Sequence, residues 1–110
     1  MKKQRRDKDY LFDMKKAVEE ALNFTRGMSK ENFEKNPMCE SAVLYQLAVL
    51  GEAAKLVSKE FRMLHPDLPW KKMAGLRDVL IHAYHGVDSD IIWQIISEEL
   101  PPLLGQLKRL

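Results

Sequence analysis

Apolar residues recur at intervals of three and four along most of the chain, and no stretch shows the two-residue alternation of a strand. Leu11, Met14, Val18, Ala21, Leu22 and Thr25 fall on one stripe, which predicts a helix over about residues 8–26. Gly27 and Ser29 follow as stop signals. Val43, Leu47, Leu50, Ala54, Val57, Phe61 and Leu64 alternate steps of four and three over three heptads. They predict one long helix, starting after Pro37 with Ser41 as a candidate cap and ending before Pro66. Residues 29–39, between the two, are polar and read as a loop, with a turn at Asn36-Pro37. The prolines at 66 and 69 forbid a continuous helix across residues 65–69. Trp70 to Ala74 has room for one turn, stopped at Gly75. A third helix is expected over about residues 76–85, ended by Gly86. Asp88 is a good cap for a fourth helix carrying Ile91, Ile92, Ile95 and Ile96. Pro101-Pro102 should kink or interrupt it, and Leu103, Leu104 and Leu107 resume the stripe. These elements predict an all-α, up-and-down bundle of four to five helices in a single domain, 1–110, with residues 1–7 as a frayed basic tail.

Composition narrows the function classes only a little. With 45% hydrophobic and 31% charged residues, the chain looks like an ordinary soluble domain. At 110 residues it buries a smaller fraction of its surface than a larger domain would, so a homodimer would hide apolar area that one copy leaves open. A net charge of +2 is too small to announce nucleic acid. Lys2, Lys3, Arg5 and Arg6 form a basic start able to attract phosphate, though a solvated terminus is the simpler account. The single cysteine, Cys39, excludes an intramolecular disulfide and argues for a reducing compartment. No apolar run follows the charged start, and no apolar stretch approaches the roughly 20 residues that span a bilayer. A cytoplasmic protein without a membrane segment is expected.

The densest cluster of reactive groups is the run from Gly75 through Arg77, Asp78, His82 and Tyr84 to His85. On a helix, Arg77 and Tyr84 share a face, and Asp78 and His82 are neighbours one turn apart. Arg77 and His82 stand about 140° apart around the axis. A long arginine can swing toward the histidine, and a pocket between helices or between two copies would bring them together more easily. Asp78 is placed to accept from one ring nitrogen of His82, fixing its tautomer and freeing the other nitrogen for proton transfer. Arg77 offers a planar donor fork for a phosphate and for charge developing on it. With an RNA 2′-hydroxyl as nucleophile, these parts suffice for cleavage without a metal, giving a 2′,3′-cyclic phosphate and a 5′-hydroxyl. The same residues also admit a structural account, which spacing alone favours: Arg77 paired with a carboxylate and His82 a satisfied, half-buried ring. His82 and His85 share a helix side, but no further ligands complete a metal site, so neither metal nor cofactor is expected. Trp70 and Trp93 read as packing anchors. Glu52 lies off the heptad seam, where it can face a pocket or solvent, and solvent is the simpler account. Cys39 has no activating neighbour in sequence.

Arg77-x-x-x-x-His82-Ala83-Tyr84 resembles the signature of HepT-like proteins in the HEPN superfamily. Gly51-Glu52-Ala53-Ala54, Pro66, Pro69-Trp70, Gly75-Leu76-Arg77, Val87-Asp88, Ile92-Trp93 and Leu100-Pro101 stand in the order such proteins show. The resemblance implies a homodimeric helical bundle whose Arg and His motifs line one cleft, with Arg77, His82 and the orienting Asp78 as the catalytic set. It implies the ribonuclease toxin of a type VII-like toxin–antitoxin module. The antitoxin would be an MntA-like minimal nucleotidyltransferase that transfers AMP from ATP to Tyr84. Relatives often carry asparagine after the arginine; Asp78 keeps the hydrogen bond to His82 but adds negative charge beside an RNA phosphate, which bears on rate. Two other functions remain open: a non-catalytic substrate-binding subunit of a nucleotidyltransferase complex, and a purely structural dimer.

Overall fold

A computed structural model describes residues 5–83 and 88–110, with the side chains at 79, 80, 82 and 83 outside that description. All the regular structure among these residues is helical: α1 (Asp7–Phe24), α2 (Lys30–Glu34), α3 (Pro37–Leu56), α4 (Lys59–Leu64), α5 (Trp70–Ala74), α6 (Leu76–Ala83), α7 (Ser89–Gln94), a π-helical turn (Ile95–Glu99) and α8 (Leu100–Lys108). The longer arms are α1, α3, α6 and the run from α7 to α8, and the shorter helices sit in the connections. The expected all-α bundle is what forms.

α1 buries Met14, Ala17, Val18 and Ala21 against α3, which contributes Val43, Leu47, Leu50 and Ala54. Ile92, Ile95, Ile96, Leu100, Leu103 and Leu107 complete the same cluster. Thr25, the one buried polar residue among those described, returns its hydroxyl to the Ala21 carbonyl at 3.0 Å. Gly27 then adopts φ of +76°, a left-handed turn that a side chain would resist.

Several boundaries differ from the sequence expectation. Residues 29–39 are not one loop. Ser29 caps α2 through the Asn32 N–H, and Phe33 is fully buried with its ring 5.5 Å from that of Trp93. α3 begins at Pro37, capped by Asn36, whose side chain accepts from the Cys39 N–H at 3.0 Å; Ser41 plays no part in the cap. Proline at the first helical position fits, because its missing N–H would have no partner there. The long heptad helix is broken after Leu56. Val57 turns extended, and Ser58 caps a new helix, α4. Asp7 holds this break from across the molecule, accepting from the Ser58 N–H at 2.8 Å and its hydroxyl at 2.6 Å. At the described end of the basic start, Asp7 opens α1 and the Arg6 N–H donates to Asp9 at 2.9 Å.

Gly75 and Asp88 behave as expected, ending α5 and capping α7. The proline pair does interrupt the last helix, by a change of winding. Neither Pro101 nor Pro102 can donate to the preceding turn, and the chain widens to a π turn in which the Leu100 N–H reaches the Ile95 carbonyl. No helix among the described residues is long and apolar enough to cross a membrane.

Candidate active site

Arg77 occupies the first turn of α6, and α3 fixes it at two points. The first is Gly51. A Cβ there would stand 2.9 Å from the Arg77 amide nitrogen and 2.9 Å from the Met73 carbonyl, both backbone atoms. Only a glycine lets the α5–α6 joint lie this close to α3. The second is Glu52, whose Oε2 accepts from Arg77 Nη1 at 3.1 Å. The two side chains are 54% and 48% exposed. An ion pair this open to water is worth about 0–1 kcal/mol, so it does little to hold the fold. Glu52, for which the sequence favoured solvent over a pocket, is thus exposed but partnered, and it lines a groove.

Arg77 and Glu52 form one side of a groove of about 380 Å³ that also takes in Arg5, Tyr10 and Asp13 of the N-terminal arm and Leu56 of α3. Arg5 pairs with Asp13 at 2.7 Å and lies 4.9 Å over the Tyr10 ring. Each arginine of the groove therefore faces its own carboxylate, and a phosphate entering here must share or displace one of them. Arg5 was named from sequence only as part of the basic start, and Tyr10 and Asp13 were not singled out at all. They reach Arg77 only through the packing of α1 on α3, for which no local signal exists.

α6 starts beside Gly51 of α3, and the Ser89 hydroxyl at the start of α7 donates to Glu40, near the other end of α3, at 3.3 Å. The backbone of His82 lies on α6, one turn beyond Asp78. Asp78 itself is exposed, its amide bonded to the Gly75 carbonyl at 3.0 Å. The His82 ring, and Tyr84 and His85 entirely, lie outside the described residues, and so do the expected Asp78–His82 hydrogen bond and the shared face of Arg77 and Tyr84. Among the described residues no three His, Cys, Asp or Glu side chains converge on a metal position.

The remaining candidates are packing groups. Trp70 Nε1 donates to the His65 carbonyl at 2.8 Å, and its ring meets Phe61 edge-on. Cys39 lies in the first turn of α3 rather than in a loop, and burial pushes its thiol above the ordinary value, away from nucleophilic use.

Comparison with known proteins adds the family context. The model of a family described as "Ribonuclease HepT-like" matches residues 14–110. "Probable ribonuclease HepT" of Thermococcus cleftensis is 42% identical over 106 residues, which is 96% of each chain. "Putative RNase TTE0752" of Caldanaerobacter subterraneus subsp. tengcongensis is 42% identical over 101 residues, covering 92% of this chain and 90% of its own. "Putative RNase MJ1380" of Methanocaldococcus jannaschii is 36% identical over 101 residues, covering 92% and 93%. No solved structure matches the chain.

Proposed function

Since this chain belongs to the HepT-like ribonuclease family, we propose that it is a metal-independent endoribonuclease acting through Arg77 and His82. In this reading His82 takes the proton of an RNA 2′-hydroxyl, which attacks the adjacent phosphorus. The 5′-oxygen leaves with a proton taken from water, His82 returns its proton to solvent, and the ends are a 2′,3′-cyclic phosphate and a 5′-hydroxyl. Arg77 binds the non-bridging oxygens and offsets the charge that grows on them. Asp78 orients the imidazole from one turn away. The observation that carries the reading is the two-point anchoring of Arg77 at the mouth of an open groove, on the helix that also bears His82.

The protein acts as the toxin of a type VII-like module. Two copies join so that both motifs line one cleft, and a minimal nucleotidyltransferase neutralises the pair by adenylylating Tyr84. The competing reading is a non-catalytic substrate-binding subunit of a nucleotidyltransferase complex, and the engagement of Arg77 by Glu52 suits it as well.

Cleavage separates the two. Purified wild type should cut single-stranded RNA in the presence of EDTA and leave cyclic-phosphate ends. Arg77→Ala and His82→Ala should each lose about a hundredfold or more in rate. Expression of wild type, but of neither variant, should slow growth and degrade cellular RNA. Wild type that leaves RNA intact, with or without added metal, would overturn the nuclease reading in favour of a non-catalytic one. Variants that cut as well as wild type would move the site elsewhere.

A further inference from the structure

We propose that Glu52 is a positioning residue for the reaction: it holds the Arg77 guanidinium in the orientation that meets the scissile phosphate. This rests on the ribonuclease reading above. Three observations carry it. The Arg77 backbone is clamped against Gly51, so the origin of the side chain is fixed. The next residue along α3, Glu52, takes Nη1 at 3.1 Å, so the far end of the side chain is fixed as well. A guanidinium has five donor hydrogens, and one carboxylate oxygen at Nη1 leaves the rest of the planar fork to face the groove.

The energetics favour a geometric role over a structural one. The pair is about half exposed on both sides, and such pairs add little to stability. What the contact changes is rotamer freedom: an unheld arginine on a helix surface samples many orientations, and each productive encounter must freeze them. Glu52 also has an opposing effect, since its negative charge repels RNA phosphates and competes for the same donor. The proposal requires orientation to outweigh this competition in the transition state, while the competition shows mainly in ground-state binding. The two contributions therefore separate between kcat and KM.

The test compares Glu52→Ala and Glu52→Gln with wild type on a fluorescently labelled single-stranded RNA, with thermal unfolding as a check on folding. Glu52→Ala should lower kcat about tenfold. Its KM should stay level or fall, because a negative charge leaves the RNA path. Glu52→Gln retains an acceptor oxygen at the same reach and should recover most of kcat. An increase in kcat for Glu52→Ala would make Glu52 a competing latch and overturn the proposal. A Gln variant as slow as the Ala variant would also overturn it. A second readout does not depend on cleavage. In 15N NMR the Arg77 Nη groups should rotate slowly in wild type and fast in Glu52→Ala. Free rotation in wild type sinks the positioning role, whereas slow rotation with no RNA cleavage sinks the ribonuclease reading and leaves the anchoring intact.

Discussion

At the scale of single residues, the proposed chemistry concentrates on one short stretch of sequence, residues 77–84. Arg77 and Tyr84 stand seven positions apart, two helical turns, so a group attached to Tyr84 would rise on the Arg77 side if the helix continues that far. An adenylyl group brings a phosphate, a natural partner for a guanidinium, and a nucleoside that fills the RNA path. Tyr84→Phe removes the acceptor oxygen and nothing from the proposed cleavage machinery. It should stay as toxic as wild type but escape neutralisation when the nucleotidyltransferase is co-expressed. Mass spectrometry after incubation with that partner and ATP should find adenylyl groups on wild type alone. An unmodified wild-type Tyr84, or a Phe variant that is still modified, would refute this account of control. Helix geometry joined Arg77 with Tyr84 and Asp78 with His82 in the sequence, whereas Arg77 and His82, five apart, were paired only through the resemblance to the family signature. Glu52 was noticed only as an oddity, because its partner lies 25 positions away. Asp7 and Ser58, 51 positions apart, gave no signal at all.

At the scale of elements, the helical stripes were legible and their interruptions were not. Val57, Phe61 and Leu64 keep the phase of the heptad, so periodicity runs straight through the break after Leu56. In the structure Val57 is buried, Phe61 half-buried and Leu64 exposed. The cap that restarts the chain belongs to Ser58 and its distant partner Asp7. Residues 29–39 misled in the opposite sense: polar side chains suggested a loop, while a one-turn helix there exists to seat Phe33 under Trp93. Gly51 was legible as part of a motif but not as a contact. Gly51→Ala should separate α3 from the α5–α6 joint, since the new Cβ meets backbone atoms that cannot rotate away. Overpacking of this kind costs about 1–3 kcal/mol. The melting temperature should fall, and cleavage should fall further than stability alone explains, because the Arg77 backbone moves. Gly105→Ala is the control. It lies within α8, and its Cβ would meet nothing nearer than the Arg109 side chain at 3.6 Å. Relief of glycine's helix penalty should raise stability by up to about 1 kcal/mol. Equal effects at the two positions would show that the close approach at Gly51 is not the constraint inferred here.

At the scale of the whole molecule, α3 is apolar on more than its core face. Met38, Tyr45 and Leu56 recur at intervals of seven and eleven, which places them on one outward stripe with Val49 and Glu52. They are 81%, 63% and 50% exposed. A central helix with apolar residues on its outer face is a poor fit to water and a good fit to another protein surface. The charges bordering the stripe favour a second copy as that surface. Arg77 with Glu52 and Arg5 with Asp13 present both signs in equal number, as a two-fold interface needs when each patch meets itself. A surface built for RNA alone would carry an excess of positive charge. The same stripe passes Arg77, so a dimer formed through it would place both proposed catalytic helices along one seam. Light scattering should therefore give twice the chain mass for wild type at micromolar concentration. Leu56→Glu puts a carboxylate beside Glu52 on the stripe and should yield a helical monomer, with far-UV circular dichroism unchanged and RNA cleavage lost. A monomeric wild type that cleaves RNA at full rate would remove the shared cleft from the mechanism. A dimer indifferent to Leu56→Glu would place the interface on another face.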